Sequence, residues 1–230
     1  MCGIVGYIGD KEATGIILNG LKKLEYRGYD SAGLAVITGG KIQVRRDAGK
    51  LSRLENLLKE NPISGKIGIG HTRWATHGMP TQRNAHPHTS ANGEVVLVHN
   101  GIVENYQELR DELTAQGVKF QSETDTETIV QLIEQNLLKS EDLIEAVRAA
   151  LLRLKGAHGV VVMSRSEPDK IIAARLGNAG GVVIGFGENE NYIASDLPAI
   201  LEHTRQVTFL ENRQMAVVTR GAVEITDLEG

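Results

Sequence analysis

The chain opens with Met1-Cys2-Gly3-Ile4-Val5-Gly6-Tyr7-Ile8, which places a cysteine directly before a short apolar run. The run over residues 4–8 predicts a buried strand. A small residue after Met1 permits removal of the initiator methionine, so Cys2 would carry both a thiol and the free α-amine. Because an α-amine has a pKa of about 7.7 to 8, it can accept the thiol proton and later protonate a departing nitrogen. The opening predicts a nucleophile, and the alternative is an inert hydrophobic cysteine.

The composition is that of a globular protein, with 41% hydrophobic and 23% charged residues in 230. This length fits one large domain or two small ones. The net charge of -4 and the absence of long Lys/Arg runs argue against nucleic-acid binding. The opening lacks a basic region before its apolar run, and no apolar run approaches the ~20 residues of a membrane span. With a single cysteine, which suits a reducing compartment, these features predict a cytoplasmic protein.

Short apolar runs alternate with amphipathic segments along the chain. Helical spacing predicts five helices: one around Ile17, Leu18, Leu21 and Leu24; one capped by Ser52 with Glu55; two over 108–115 and 126–138; and one capped by Ser140, with Leu143, Val147, Leu151 and Leu154 on one face. Predicted strands cover 4–8, 34–37, 67–71, 95–100, 160–163, 171–174, 182–184, 192–194, 207–210, 215–218 and 223–225. Many short strands favour mostly antiparallel sheets covered by helices, an α+β fold.

Six segments of the chain, including its opening, resemble segments that occur in the same order in class II glutamine amidotransferases. They are Cys2-Gly3-Ile4-Val5-Gly6, Leu24-Glu25-Tyr26-Arg27-Gly28-Tyr29-Asp30-Ser31-Ala32-Gly33, His71-Thr72-Arg73-Trp74-Ala75-Thr76-His77-Gly78, His86-Pro87-His88, His99-Asn100-Gly101 and Ser122-Glu123-Thr124-Asp125-Thr126-Glu127. The resemblance covers essentially the whole chain and is strongest over 1–130. Its forms over 25–30 and 73–78 are similar to the branch of the class that aminates fructose 6-phosphate.

The resemblance implies the fold and the reaction. The fold would be the four-layer αββα sandwich of N-terminal-nucleophile hydrolases, with two mostly antiparallel sheets and Cys2 at one sheet's edge. Cys2 would attack the side-chain amide of L-glutamine, releasing ammonia, and water would split the glutamyl thioester to L-glutamate, without a cofactor. Residues 1–230 would form a single glutaminase domain. Full-length relatives continue into sugar-phosphate isomerase domains, which would use the ammonia to make glucosamine 6-phosphate and through which a homodimer could form.

For substrate binding, the resemblance assigns Arg73 to the α-carboxylate of glutamine and Asp125 to its α-ammonium. A planar guanidinium suits a bidentate contact with a carboxylate, which agrees with the first role. Arg27 matches an arginine with a positional role near the nucleophile, and burial with Asp30 is the alternative explanation. The resemblance therefore implies that the substrate is a free amino acid.

Asn100 and Gly101 match the pair whose side-chain amide and backbone N–H form the oxyanion hole. The alternative is a β-hairpin turn, which Asn-Gly often forms between apolar runs, and we rank it lower. Trp74, Thr76 and His77 match a loop that closes over glutamine and would shield the thioester from water.

Five of the seven histidines fall in one stretch: His71, His77, His86, His88 and His99. Their spacing matches no zinc motif, so hydrogen bonding in the core or the pocket wall is the better interpretation and no metal is expected. The family's usual Gly-Ser-Pro-Leu run is replaced here by Gly177-Asn178-Ala179-Gly180-Gly181. This departure removes no matched catalytic residue.

Two other functions remain open. The first is a glutaminase domain that serves another acceptor, as in amidophosphoribosyltransferase, asparagine synthetase or glutamate synthase. The second is a glutamine-binding module without activity, in which a retained Met1 blocks the amine of Cys2.

Overall fold

The computed structural model describes residues 2–74, 78–178 and 180–230. Thirteen strands and five α-helices lie within these ranges. The strands are β1 (Gly3–Ile8), β2 (Ser31–Thr38), β3 (Lys41–Ala48), β4 (Ile67–Arg73), β5 (His88–Thr89), β6 (Val95–Gly101), β7 (His158–Ser164), β8 (Lys170–Leu176), β9 (Val183–Phe186), β10 (Asn191–Ala194), β11 (Val207–Phe209), β12 (Gln214–Thr219) and β13 (Val223–Asp227). The helices are α1 (Ala13–Lys23), α2 (Leu51–Glu60), α3 (Tyr106–Ala115), α4 (Thr126–Ser140) and α5 (Leu143–Leu151). None of these helices is both long and apolar enough to cross a bilayer.

The strands form two antiparallel sheets. The first has seven strands in the order β11-β9-β10-β1-β4-β2-β3, and the second has six in the order β13-β12-β8-β7-β6-β5. Strand β1 lies in the middle of the first sheet, between β10 and β4. Cys2 therefore lies at the end of a central strand and not on an edge strand.

Three apolar cores separate four layers. The first lies between α1 and α2 and one face of the first sheet, the second between the two sheets, and the third between the second sheet and α3, α4 and α5. Central members of the three cores are, in that order, Ile17, Leu21 and Leu54; Ile4, Ile69 and Val161; and Leu109, Ile133 and Val147. The layers run α, β, β, α, which confirms the predicted sandwich.

Strand β1 is apolar at successive positions because both of its faces are buried. Ile4 and Ile8 belong to the core between the sheets, whereas Val5 and Tyr7 belong to the core under α1. Since successive strand residues point to opposite faces, a strand covered on both faces carries a continuous apolar run.

Two of the predicted helix caps are wrong. Ser52 lies inside α2, whose N-cap is Lys50, and no side chain of that cap accepts a hydrogen bond. Ser140 is the last residue of α4, and its hydroxyl donates to the Asn136 carbonyl at 3.2 Å. The cap of α5 is Asp142, whose Oδ1 accepts from the Glu145 N–H at 3.0 Å. In both cases the sequence placed a serine close to the start of the helix, but another residue occupies the N-cap position.

Candidate active site

Cys2 lies against the end of β4. Gly3 pairs with Thr72, so the residue before Gly3 reaches the residues that end and follow β4. The Trp74 N–H lies 3.2 Å from Cys2 Sγ, and Sγ lies 3.6 Å from the Trp74 carbonyl. Burial raises the pKa of the Cys2 thiol above its ordinary value, and the hydrogen bond from Trp74 opposes this shift. A thiol that keeps its proton at neutral pH needs a base before it can attack a carbonyl.

Arg27 holds the backbone of Cys2. Its Nε donates to the Cys2 carbonyl at 3.0 Å, and its Nη1 donates to Asp196 Oδ2, also at 3.0 Å. The same carboxylate oxygen accepts from the Tyr26 hydroxyl at 2.7 Å. Arg27 is buried, with 8% of its surface exposed. These contacts fit the positional role predicted for Arg27. For Asp30, the residue named in the alternative explanation, the backbone N–H donates to the Arg73 carbonyl at 3.0 Å.

Asn100 reaches Cys2 from the second sheet. Its Nδ2 donates to the Cys2 carbonyl at 3.2 Å, and its Oδ1 lies 3.0 Å from His71 Nε2. Asn100 pairs with Gly159 in the ladder between β6 and β7, so the alternative prediction of a hairpin turn at this point is wrong.

Gly101 ends β6 in a conformation that only glycine adopts easily. Its φ is +142°, and a Cβ at this position would lie 2.2 Å from the Ala157 carbonyl oxygen. A side chain would therefore be strained and would clash with backbone. The glycine lets the strand end close to the segment before β7, next to Asn100.

Arg73 and Asp125 are buried at the same site, each with 4% of its surface exposed. Arg73 ends β4, and its Nη2 donates to the Gly78 carbonyl at 3.3 Å. Asp125 directly precedes α4, and its Oδ2 accepts from the Val103 N–H at 2.8 Å. Burial lowers the pKa of Arg73, while electrostatic interactions with Cys2, Asp125 and Asp30 oppose that shift. Arg73 therefore places a cation near the thiol, and the Asp125 carboxylate lies within electrostatic range of Arg73.

Trp74 is exposed beside the thiol, with 45% of its surface accessible. Its ring meets that of Tyr29 edge to face, with ring centroids 5.5 Å apart. Thr76 and His77, for which we predict roles in the same loop, lie outside the described residues. The closing of this loop over glutamine stays a prediction.

The histidines of the described part of the cluster form hydrogen bonds in the core. His71 Nε2 lies 3.1 Å from the His99 carbonyl, His99 Nε2 lies 3.1 Å from His158 Nδ1, and His88 Nε2 lies 3.1 Å from Thr124 Oγ1. Burial lowers the pKa of His71 to about 3 and holds those of His86, His88 and His99 well below the usual range. They are therefore neutral at physiological pH. Among residues 2–74, 78–178 and 180–230, no three His, Cys, Asp or Glu side chains cluster as metal ligands would.

Three residues near Cys2 have contacts for which the sequence assigned no role. Asp196 accepts from both Tyr26 and Arg27, as described above, while Ser195 Oγ accepts from the Ile4 N–H at 2.9 Å. The Ser195 N–H in turn donates to the Ile4 carbonyl at 3.0 Å. Of the three, Tyr26 lies within a segment that matches the family, over residues 24–33.

Comparison with known proteins agrees with this geometry. Residues 58–227 match the family model described as a glutamine amidotransferase domain. The chain is 52% identical over 230 residues to the isomerizing glutamine–fructose-6-phosphate aminotransferase of Thermus thermophilus, and 49% identical over 230 residues to that of Clostridium acetobutylicum. Both alignments cover all of this chain but only 37% of the relative, so the chain spans little more than a third of their length.

Solved structures show the same fold. Glutamine phosphoribosylpyrophosphate amidotransferase of B. subtilis superimposes with a TM-score of 0.82 at 28% identity, over 99% of this chain and 49% of that one. A structure described as the allosteric regulatory enzyme of purine biosynthesis gives a TM-score of 0.87 at 27% identity, with the same coverage. Together with the family match, these similarities show that the chain belongs to the glutamine amidotransferase family, with the αββα sandwich of the N-terminal-nucleophile hydrolases.

Proposed function

We propose that this chain hydrolyses L-glutamine to L-glutamate and ammonia through a glutamyl thioester on Cys2. The observation that carries this proposal is the convergence on Cys2 of Arg27, which follows the first helix, and Asn100, which comes from the second sheet. Two side chains from distant parts of the chain fix the carbonyl of one residue, and a third residue, Trp74, donates its N–H to the thiol. Such preorganisation at a single cysteine suits covalent catalysis.

In the proposed reaction the α-amine of Cys2, exposed by removal of Met1, accepts the thiol proton. The thiolate attacks the side-chain carbonyl carbon of glutamine, and the resulting oxyanion accepts hydrogen bonds from Asn100 Nδ2 and the Gly101 N–H. Each such donor contributes ~2.7 to 4 kcal/mol to lowering the barrier. The C–N bond then breaks, the amine of Cys2 protonates the leaving nitrogen, and water splits the thioester to release glutamate and the thiol.

Substrate recognition is proposed to follow the charges of the site. The Arg73 guanidinium would bind the α-carboxylate and the Asp125 carboxylate the α-ammonium. Since one oxygen of Asp125 already accepts from Val103, the carboxylate is oriented before substrate arrives. Trp74, with Thr76 and His77, would cover the bound amino acid and keep water from the thioester until ammonia has left.

The acceptor of the ammonia follows from the relatives. The similar proteins named above act on fructose 6-phosphate by name, and they are 49–52% identical to this chain, compared with 28% for the phosphoribosylpyrophosphate enzyme. We therefore propose that residues 1–230 are one glutaminase domain of a longer enzyme that makes glucosamine 6-phosphate. The partner isomerase domains, a homodimer formed through them and a cytoplasmic location remain part of this proposal.

The first test is glutamate release from free glutamine by the wild-type chain and by Cys2→Ala, with the intact mass of each recorded. We expect glutamate only from the wild type in which Met1 is absent. Asparagine is the control substrate and should not be hydrolysed at a comparable rate. A folded wild type without Met1 that releases no glutamate would leave a binding or partner-dependent role for this domain.

A further inference from the structure

His71 lies where it can control the direction of the Asn100 amide. It sits on β4, fully buried, and its Nε2 lies 3.0 Å from Asn100 Oδ1 and 3.1 Å from the His99 carbonyl oxygen. A carbonyl oxygen only accepts hydrogen bonds, so His71 Nε2 must carry a proton to satisfy His99. A protonated Nε2 then requires that Asn100 present its oxygen and not its nitrogen.

The other side of the Asn100 amide imposes the same orientation. The Cys2 carbonyl oxygen lies 3.2 Å from Asn100 Nδ2 and accepts from it. The Asn100 amide is therefore fixed in one of its two possible orientations by two acceptors. The Cys2 carbonyl acts on it directly, and the His99 carbonyl acts on it through His71. This orientation turns the NH₂ group toward Cys2 and leaves its second N–H for another acceptor.

From this geometry we propose that His71 is a positioning residue for glutamine hydrolysis, which holds the Asn100 amide so that Nδ2 faces the reacting carbonyl. This inference rests on the proposed function, in which Asn100 donates to the oxyanion. His71 acts through Asn100 and not as a base, because burial lowers its pKa to about 3 and the neutral ring keeps its proton on Nε2.

The ring of His71 is itself held in place. It stacks on the ring of His86 with centroids 4.1 Å apart and planes 20° from parallel. His86 Nδ1 accepts from the His99 N–H at 3.3 Å. The two imidazoles thus bind both polar backbone groups of His99, next to Asn100. A ring fixed by stacking and by a backbone contact can hold a neighbouring amide with little loss of entropy on substrate binding.

The test compares four variants of the 230-residue chain, freed of Met1, by kcat and KM for glutamine: His71→Leu, His71→Gln, Asn100→Ala and the double variant His71→Leu/Asn100→Ala. Leucine fills similar space without a donor, whereas a glutamine amide can place an N–H near the position of Nε2. We expect His71→Leu to lower kcat by about 10- to 100-fold with little change in KM. His71→Gln should recover most of the loss, and the double variant should be no slower than Asn100→Ala.

Ile69→Val is the control for a general change in β4, since Ile69 is buried two residues away and belongs to the core between the sheets. It should keep the kcat of the wild type. Equal losses in the Leu and Gln variants, or losses that multiply in the double variant, would overturn the positioning role. Wild-type kcat in Asn100→Ala would remove the oxyanion role and this inference together, whereas a slow Asn100→Ala beside an unchanged His71→Leu would overturn the inference alone.

A second readout does not depend on activity. The ¹⁵N chemical shifts of His71 should show a protonated Nε2 and an unprotonated Nδ1, without titration between about pH 5 and 8. A His71 that titrates in this range, or one whose proton lies on Nδ1, would contradict the assigned hydrogen bonds to His99 and Asn100.

Discussion

Two side chains hold the carbonyl of Cys2, whereas its thiol contacts the backbone of Trp74. The carbonyl accepts from Arg27 at 3.0 Å and from Asn100 at 3.2 Å, and Arg27 is held in turn by Asp196. Once Met1 is removed, as proposed above, Cys2 has no peptide bond before it to restrain its position. Hydrogen bonds to its carbonyl replace that restraint, so the partners of Arg27 belong to the proposed catalytic arrangement although they do not touch the thiol.

Asp196→Asn tests this arrangement. Asparagine keeps the size of the side chain and an oxygen that can accept from the Leu197 N–H, as Asp196 Oδ1 does at 2.9 Å, but it loses the charge that holds Arg27. We expect kcat for glutamine hydrolysis to fall by up to about 100-fold through misplacement of Cys2. The melting temperature should fall only modestly, because the aspartate is 36% exposed and solvent screens the pair, although the Arg27 side chain is only 9% exposed.

Tyr26→Phe is the matched control, because it removes the other hydrogen bond to Asp196 Oδ2 and leaves the ion pair with Arg27 intact. Its kcat should stay near that of the wild type. If the two variants lose the same activity, the charge of Asp196 is not what positions Cys2.

At the residue scale, the sequence motifs grouped residues that lie together in the structure. Cys2, Arg27 and Asn100 all lie in segments that match the family, and the structure places them together. The link from Arg27 to Asp196 joins residues 169 apart in sequence, and no local pattern encodes such a contact. The orientation of the Asn100 amide could not be predicted from the sequence either, since it depends on which ring nitrogen of His71 carries a proton.

At the scale of elements, the sequence predicted the strands with apolar residues and missed a strand with polar residues. Strand β3 was not predicted because its residues, from Lys41 to Ala48, include four charged side chains and are exposed or half-buried. It lies at the edge of the first sheet, where charged side chains discourage pairing with another chain. Gly39 and Gly40 form the two-residue loop that joins β2 to β3.

Gly40 gives an element-scale prediction. Its φ is +70°, and a Cβ there would meet nothing within 4 Å, so any cost of a side chain comes from the backbone alone. We expect Gly40→Ala to lower the free energy of unfolding by about 1 to 2 kcal/mol. Urea denaturation measures this as a lower midpoint with an unchanged slope.

Gly221 supplies the control, since it also has open space around a Cβ but lacks the left-handed backbone. Gly221→Ala should be neutral or slightly stabilising, by up to about 1 kcal/mol, because alanine restricts the unfolded chain. Equal effects of the two substitutions would mean that the conformation of the hairpin loop does not depend on glycine.

At the scale of the whole molecule, the proposed site lies where the two sheets meet. Cys2 and Arg73 come from the ends of β1 and β4 in the first sheet, whereas Asn100 comes from the end of β6 in the second. The apolar runs predicted layers of sheet and helix, but they did not predict strand order, because many orders bury the same residues. The αββα arrangement came from the resemblance, since layer packing alone allows several α+β folds.

The buried histidines make the stability of the molecule depend on pH. His71, His86, His88, His99 and His158 all have a pKa lowered by burial, to about 3 for His71. In the unfolded chain each returns to a pKa near 6.5, so below that pH the unfolded state binds more protons than the folded state. Stability is therefore complete above about pH 6.5 and is lost as the pH falls toward the lowered values.

We expect the urea midpoint to be nearly constant between pH 8 and 7 and to fall steeply between pH 6.5 and 5. Each histidine contributes up to about 1.4 kcal/mol per pH unit, so the combined loss by pH 5 is on the order of several kcal/mol. Carboxylates with a lowered pKa, such as Glu94, add to the loss only below their ordinary value of 4.5, which separates the two effects. His71→Gln should reduce the slope, because one titrating group is gone. A midpoint that stays constant from pH 7 to 5 would mean that these histidines take up protons in the folded protein at the same pH as in the unfolded chain, and it would contradict the neutral His71 on which the orientation of Asn100 depends.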